Sequence, residues 1–359
     1  MIHGHGGNIY QLARELGCDP TEIVDMSSNV NPLGPPPELM DHLKAHLGCI
    51  KALPEVAAES MERMFADHNR IDANQVMAGS GTTQMIYDLP RALEMREALI
   101  VGPTYVDYAD GCRLGNVACR FAHARESDHF KVDADRLREQ IAPVDAVYIC
   151  NPNNPTGQLI DADAIRELCQ DFPRQQFIVD ESYLPFVKHH AHHSLLRDRP
   201  ANALVLTSMS KIFRIPGLRV GFIVGEAGAI QRLRHLAPPW SVNSLAQTAV
   251  RFLLTNEPLS RNFIARTQAF IAAERGFMID ALAALTDLRI YPSHTSFFIL
   301  RLPEPYRAVA VCRALSADRI LVRDCTNFEG LSERFVRISL KTTDVNRQCV
   351  ALLQALLQR

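Results

Sequence analysis

The chain has 359 residues, a formal net charge of −2, 47% hydrophobic residues and 22% charged residues. That length predicts one large domain with a smaller one beside it, and the near-neutral balance excludes a global field that would draw nucleic acid or an anionic membrane. The opening MIHGHGGNIYQ has no apolar signal-peptide core, no apolar run approaches the roughly 20 residues of a membrane span, and the nine cysteines form no CxxC pair. The expectation is a cytoplasmic protein with free thiols.

The first 30 or so residues are expected to dock on the C-terminal unit rather than form a domain of their own. Five short, β-rich runs then read as buried strands: ALIVG (98–102), DAVYIC (145–150), QFIVD (176–180), ALVLTS (203–208) and VGFIVG (220–225). Helical patterns such as DADAIRELCQDF (161–172) lie between them. Strands alternating with helices predict an α/β layer with a mostly parallel sheet. After about residue 240 the pattern changes to long helices, followed by the strands RIYPSHTSFFILRL and ERFVRISLK of a smaller α+β unit. The expected division is 1–30, 31–245 and 246–359.

Polar clusters follow three of the strands: NPNNPTG (151–157), DESY (180–183) and SMSKIFRIPGLRVG (208–221). Ligands of open α/β sheets bind at the carboxyl ends of strands, so the convergence of three such ends says more than any one motif. Lys211 is a poor nucleophile while protonated; desolvation or a neighbouring cation such as Arg219 frees its amine for Schiff-base chemistry. Arg219 can also grip a phosphate, and Ser208 and Ser210 add hydroxyls. In GSGTTQMIYDL (79–89) small and hydroxylated residues precede a helix, whose free N–H groups make an anion seat. Asp180 and Tyr183 stand where a carboxylate and a phenol can meet a pyridinium nitrogen and a ring oxygen, and Asn154 can offer an amide. Taken singly, these features also describe a solvated lysine, a helix cap and a tight turn. HHAHH (189–193) reads as an exposed loop cluster, without a spaced carboxylate or cysteine to complete a metal site.

SMSKIFRIPGLRVG, NPNNPTG and DESY, in this order and spacing, resemble the fold-type I pyridoxal-phosphate enzymes of the aspartate aminotransferase superfamily. The resemblance spans nearly the whole chain. It implies a large domain with a mostly parallel sheet between helices, a smaller α+β domain, pyridoxal 5'-phosphate as cofactor, and a homodimer with sites at the subunit boundary. Carried residue by residue, it makes Lys211 the lysine that holds the cofactor covalently. Gly81, Thr82, Thr83, Ser208, Ser210 and Arg219 take its phosphate, Asp180 its pyridine nitrogen, Asn154 and Tyr183 its ring oxygen, and Tyr105 of GPTYVDY stacks on its face.

HGGNIYQLARELG (5–17), DMSSNVNPLGPP (25–36), PPWSVNSLAQ (238–247) and ILVRDCTNFEGLSERFVRISLK (320–341) are similar to the L-threonine-O-3-phosphate decarboxylases of cobalamin synthesis. Histidinol-phosphate aminotransferases share the central motifs and form the alternative. The decarboxylase resemblance implies a substrate bearing a phosphate and a carboxylate, Arg323 and Arg337 as its anion-binding residues, and His5 and Asn29 close to it. The product would be (R)-1-amino-2-propanol O-2-phosphate. Two positions depart from the relatives: Leu53 stands where a tyrosine is usual, and Ser296 where asparagine is frequent. Both departures leave L-serine-O-phosphate open as substrate.

Overall fold

The computed structural model of the protein describes residues 6–358. Seven strands form its central sheet: Val76–Gly79 (β1), Glu97–Gly102 (β2), Ala118–His123 (β3), Ala146–Cys150 (β4), Gln176–Asp180 (β5), Ala203–Thr207 (β6) and Gly221–Val224 (β7). Their spatial order is β1-β7-β6-β5-β4-β2-β3. β7 runs antiparallel to β1 and β6, while every other pair is parallel. The five expected strands are all present. β1 is four residues long, and β3 is an edge strand whose side chains are mostly exposed or half-buried, so neither reads as a buried apolar run. The reversed direction of β7 is invisible to periodicity, because a strand buried on both faces reads alike either way.

Alternate residues of each strand enter opposite layers, as a pleat requires. Ala98, Ile100, Ala146 and Tyr148 pack with Ile86 and Leu89 of the helix Gly81–Ala92. Leu99, Val101, Val147 and Ile149 pack with Leu137, Ile165 and Leu168 on the other face. Helices therefore cover both sides, and the strand ends are what remains for a ligand.

Helices Ser244–Thr255 and Glu257–Leu282 lead into a second, four-stranded sheet built around Phe297–Arg301 and Phe335–Ser339. The break between these helices falls at Asn256, followed by a proline in the first turn, where its missing N–H costs nothing. Val24–Asp25 pairs in parallel with Ile320–Leu321 in a separate two-stranded sheet, which ties the N-terminal segment to the C-terminal part of the chain. Among the described residues, no helix is long and apolar enough to cross a membrane.

Candidate active site

The carboxyl ends of the parallel strands and the amino end of the reversed β7 lie on one edge of the sheet. β5 ends on Asp180, which is buried. Its Oδ2 accepts the Tyr108 hydroxyl at 2.8 Å, and its Oδ1 accepts the Ser182 N–H at 2.9 Å. Burial raises the Asp180 pKa; hydrogen bonds from Ser182 and Tyr108 and the charge of Lys211 work against that rise.

β6 ends at Thr207, and the next residues make the one-turn helix Met209–Ile212, capped by Ser208, whose Oγ accepts the Ser210 N–H at 3.2 Å. This turn sets Lys211 against a cavity of ≈ 150 Å³ that Asp180 also lines. Burial, with the charge of Arg219 acting the same way and Asp180 against both, brings the Lys211 amine from its ordinary 10.5 down to about 8. Only the neutral amine attacks a carbonyl carbon. The rate at which cofactor-free protein combines with pyridoxal phosphate is therefore expected to rise with pH through about 8 and level off above it. A solvated lysine would keep gaining up to about 10.4; stopped-flow absorbance across that range distinguishes the two.

Behind Lys211 lies the start of the helix Gly81–Ala92. Gly81 has φ +77°, and a Cβ there would stand 2.7 Å from Arg219 Nη2. A Cβ on Gly221, the first residue of β7, would stand 2.6 Å from the Thr82 nitrogen. Both positions need glycine because two backbones and a guanidinium meet here. Thr82 and Thr83 line the cavity. Gly81, Ser208, Ser210 and Arg219 stand behind its wall: Ser210 Oγ donates to the Val220 carbonyl at 2.8 Å, and exposed Arg219 donates to the Pro216 carbonyl at 3.2 Å.

The opposite wall is cationic. Arg337, 4% exposed in mid-strand, donates through Nη1 to Asn154 Oδ1 and through Nη2 to the Ser27 carbonyl, and lies over the Phe297 ring at 5.4 Å. Its Nε has no partner among the described residues. Asn29 Nδ2 donates to Tyr183 Oη at 3.3 Å and Asn154 Oδ1 at 3.4 Å, and its own oxygen accepts the Ser339 hydroxyl at 2.8 Å. Arg323 donates to Asn327 Oδ1 at 2.6 Å and stands over Phe328 at 5.1 Å. Tyr105 lines the cavity edge-on to Tyr108, their ring centroids 5.6 Å apart.

The structure thus gathers Lys211, Asp180, Tyr183, Asn154, Tyr105, Thr82, Thr83, Asn29, Arg323 and Arg337 around one cavity. His5 lies outside the described residues. Sequence reasoning passed over Tyr108, Ser27, Ser28 and Phe328, which also line it. Tyr108 carried one usable signal, its place one helical turn after Tyr105. Leu53 is 73% exposed and outside the cavity lining, whereas Ser296 is fully buried with an unpartnered hydroxyl. His190–His193 form a short turn in which Gln268 approaches the His190 ring at 3.4 Å. No group of three His, Cys, Asp or Glu side chains among the described residues is placed to hold a metal.

The signature of the family described as aminotransferase class I and II matches residues 21–353. The threonine-phosphate decarboxylase of Salmonella typhimurium is 32% identical, over 98% of this chain and 96% of that protein. The histidinol-phosphate aminotransferase of Methanothermobacter thermautotrophicus is 28% identical, over 98% of this chain and 94% of that protein. The crystal structure of L-threonine-O-3-phosphate decarboxylase from Porphyromonas gingivalis superposes with a TM-score of 0.84 at 29% identity, covering 94% of this chain and 100% of that one. With the family signature across most of its length and a relative that aligns from end to end, the chain belongs to the aminotransferase class I and II family.

Proposed function

We propose that the protein is a pyridoxal-phosphate-dependent decarboxylase that converts L-threonine-O-3-phosphate to (R)-1-amino-2-propanol O-2-phosphate, for the aminopropanol arm of cobalamin. The observation that carries this reading is the pair of guanidiniums, Arg323 and Arg337, across the cavity from the depressed amine of Lys211. Two fixed cations suit a substrate with two anionic groups. The full-length similarity to a threonine-phosphate decarboxylase points the same way.

The donor set fits the cofactor. The close approach that Gly81 and Gly221 permit brings Arg219 and β7 against the start of the helix, whose free N–H groups, with Thr82 and Thr83, suit a phosphate. Asp180 would offer its braced carboxylate to the pyridine nitrogen, Asn154 and Tyr183 would hold the ring oxygen, and Tyr105 would cover a ring face. Bound there, pyridoxal phosphate supplies an electron sink for whichever Cα bond of the substrate stands perpendicular to its ring. Lys211 would hold the cofactor, and its amine would be placed to carry a proton to the substrate carbon that loses CO2. Asp180 would hold a proton on the ring nitrogen, its carboxylate braced by Tyr108 and Ser182. Arg323 and Arg337 divide the substrate phosphate and carboxylate between them and so set which Cα bond is presented. Ser208 and Ser210 support Lys211 and the phosphate seat from behind, and His5 belongs on the substrate side.

The chain acts as a cytoplasmic homodimer in this reading, with 31–245 as the large domain, 246–359 as the small one and 1–30 as a segment packing on the small one. Ile50, Leu53, Val56 and Trp240 are exposed apolar residues, with the Trp240 N–H donating to the Val56 carbonyl at 2.8 Å, and they offer a surface for the second subunit.

Purified protein loaded with pyridoxal phosphate is expected to release CO2 from L-threonine-O-3-phosphate with no keto acid present. Release from L-serine-O-phosphate alone would transfer the reading to that substrate. No release from either, with turnover of histidinol phosphate plus 2-oxoglutarate, would replace it with transamination.

A further inference from the structure

Asp25 lies outside the cavity, yet four donors converge on it. Its Oδ1 accepts the Ser27 N–H at 2.9 Å, the Ser27 hydroxyl at 2.6 Å and the Ser28 N–H at 3.1 Å, and its Oδ2 accepts the Ser28 hydroxyl. The turn folded around this carboxylate is held from both sides. The Met26 N–H donates to the Leu321 carbonyl at 2.8 Å, and the Met26 carbonyl accepts the Ser339 N–H at 2.9 Å. Three residues of the turn, Ser27, Ser28 and Asn29, then face the cavity. The Ser27 carbonyl carries one arm of Arg337, and Asn29 shares Asn154 Oδ1 with the other arm. The geometry of a substrate-facing guanidinium is therefore set by a turn whose organising group is a carboxylate outside the site.

A second buried charge lies on the segment that holds this turn. Lys341 is 7% exposed, two residues beyond Ser339 on the segment that also carries Arg337. Its backbone is fixed, the N–H donating to Asn346 Oδ1 at 2.8 Å and the carbonyl accepting Asn346 Nδ2 at 2.8 Å. Burial, opposed by Asp25 and aided by Arg214 and Arg337, brings its amine down to about 8. Lys341 in turn helps keep Asp25 ionised. No ligand contact accounts for this cation, because Lys341 does not line the cavity.

We infer that Asp25 and Lys341 act together as positioning residues for Arg337: the carboxylate folds the Ser27–Asn29 turn that aims the guanidinium, and Lys341 is the buried cation on the segment whose Ser339 holds that turn from the other side. The inference rests on Arg337 being a substrate-binding residue. Asn in place of Asp25 keeps the shape and one acceptor oxygen, but removes the charge and gives Ser28 Oγ an amide to meet. The turn then loosens and Arg337 is aimed less well.

The test is steady-state kinetics and ligand titration on cofactor-loaded wild type, Asp25→Asn, Lys341→Met and the double variant. Asp25→Asn is expected to raise KM for L-threonine-O-3-phosphate, and its Kd read from the cofactor absorbance, by about tenfold, with kcat changed by less than about threefold. Lys341→Met is expected to move KM the same way by a smaller factor, Lys341→Arg to restore it, and the double variant to be no worse than Asp25→Asn alone. Unchanged KM and Kd in Asp25→Asn would overturn the inference. So would a loss of kcat, cofactor affinity and melting temperature together with no selective change in KM. If Asp25→Asn does not fold, the Lys341 pair decides by the same criteria. If wild type releases no CO2, the substrate reading has failed on its own; the Kd of inorganic phosphate for wild type against the variants then decides this inference, and equal values overturn it.

Discussion

Lys211→Ala is expected to lower CO2 release from L-threonine-O-3-phosphate by roughly 10³-fold or more, because in the proposed reaction one side chain serves both as nucleophile and as proton carrier. The two roles separate experimentally. Loss of the covalent hold changes the absorbance of the bound cofactor before any substrate is added, whereas loss of proton delivery is seen only in turnover. Added small amines would restore part of the second role and none of the first. Retention of both the absorbance and the activity would remove Lys211 from the site. The fold should tolerate the change, since the turn Met209–Ile212 is held by the Ser208 cap and by the Ser210 hydroxyl on Val220, not by the lysine side chain.

Asp180→Asn is the second large effect. The amide keeps the size of the side chain and an oxygen for Tyr108 or Ser182, but it cannot hold a proton on a pyridine nitrogen by charge. A fall in kcat of roughly 10²–10³ is expected, the scale of losing one preorganised electrostatic contact in a dry site, with a much smaller change in KM. Burial makes the native carboxylate costly, as its raised pKa records. The variant should therefore melt at a higher temperature than wild type while turning over more slowly. Activity falling as stability rises is the signature of a group placed for chemistry. A variant that loses both equally would mark Asp180 as structural.

The strands that carry Asp180, Asn154 and Lys211 were legible because a strand buried on both faces is an apolar run, and the polar residues that interrupt its end stand out. The helix Gly81–Ala92 was legible for a similar reason, since small residues and hydroxyls ahead of a helical period mark an exposed N-terminus. Arg337 was different. It lies in a five-residue strand whose every side chain is buried, so alternation gives no hint that it faces a cavity, and only the resemblance singled it out. Tyr108 was missed because its hydroxyl meets Asp180 far away in the chain, and nothing local but its spacing from Tyr105 distinguishes it from a helix core residue. Ser27 was missed because it acts through its backbone carbonyl, which any residue type supplies. Asp25 and Lys341 show the same limit from the other side: each is an ordinary charged residue at a strand end until the fold brings the two together.

The reversed strand Gly221–Val224 has a consequence for assembly. Gly221 pairs with Gly79 and presses on the Thr82 nitrogen, so the seat at the start of the helix closes only when two segments separated by most of the large sheet meet. Contacts of such high sequence separation form late, after the loop entropy of the intervening chain has been overcome. An early folding intermediate would contain the parallel strands and the Asp180 end of the site, yet lack a place for an anion. The cofactor would then bind only chains that have completed the sheet, and bound cofactor would report a finished fold.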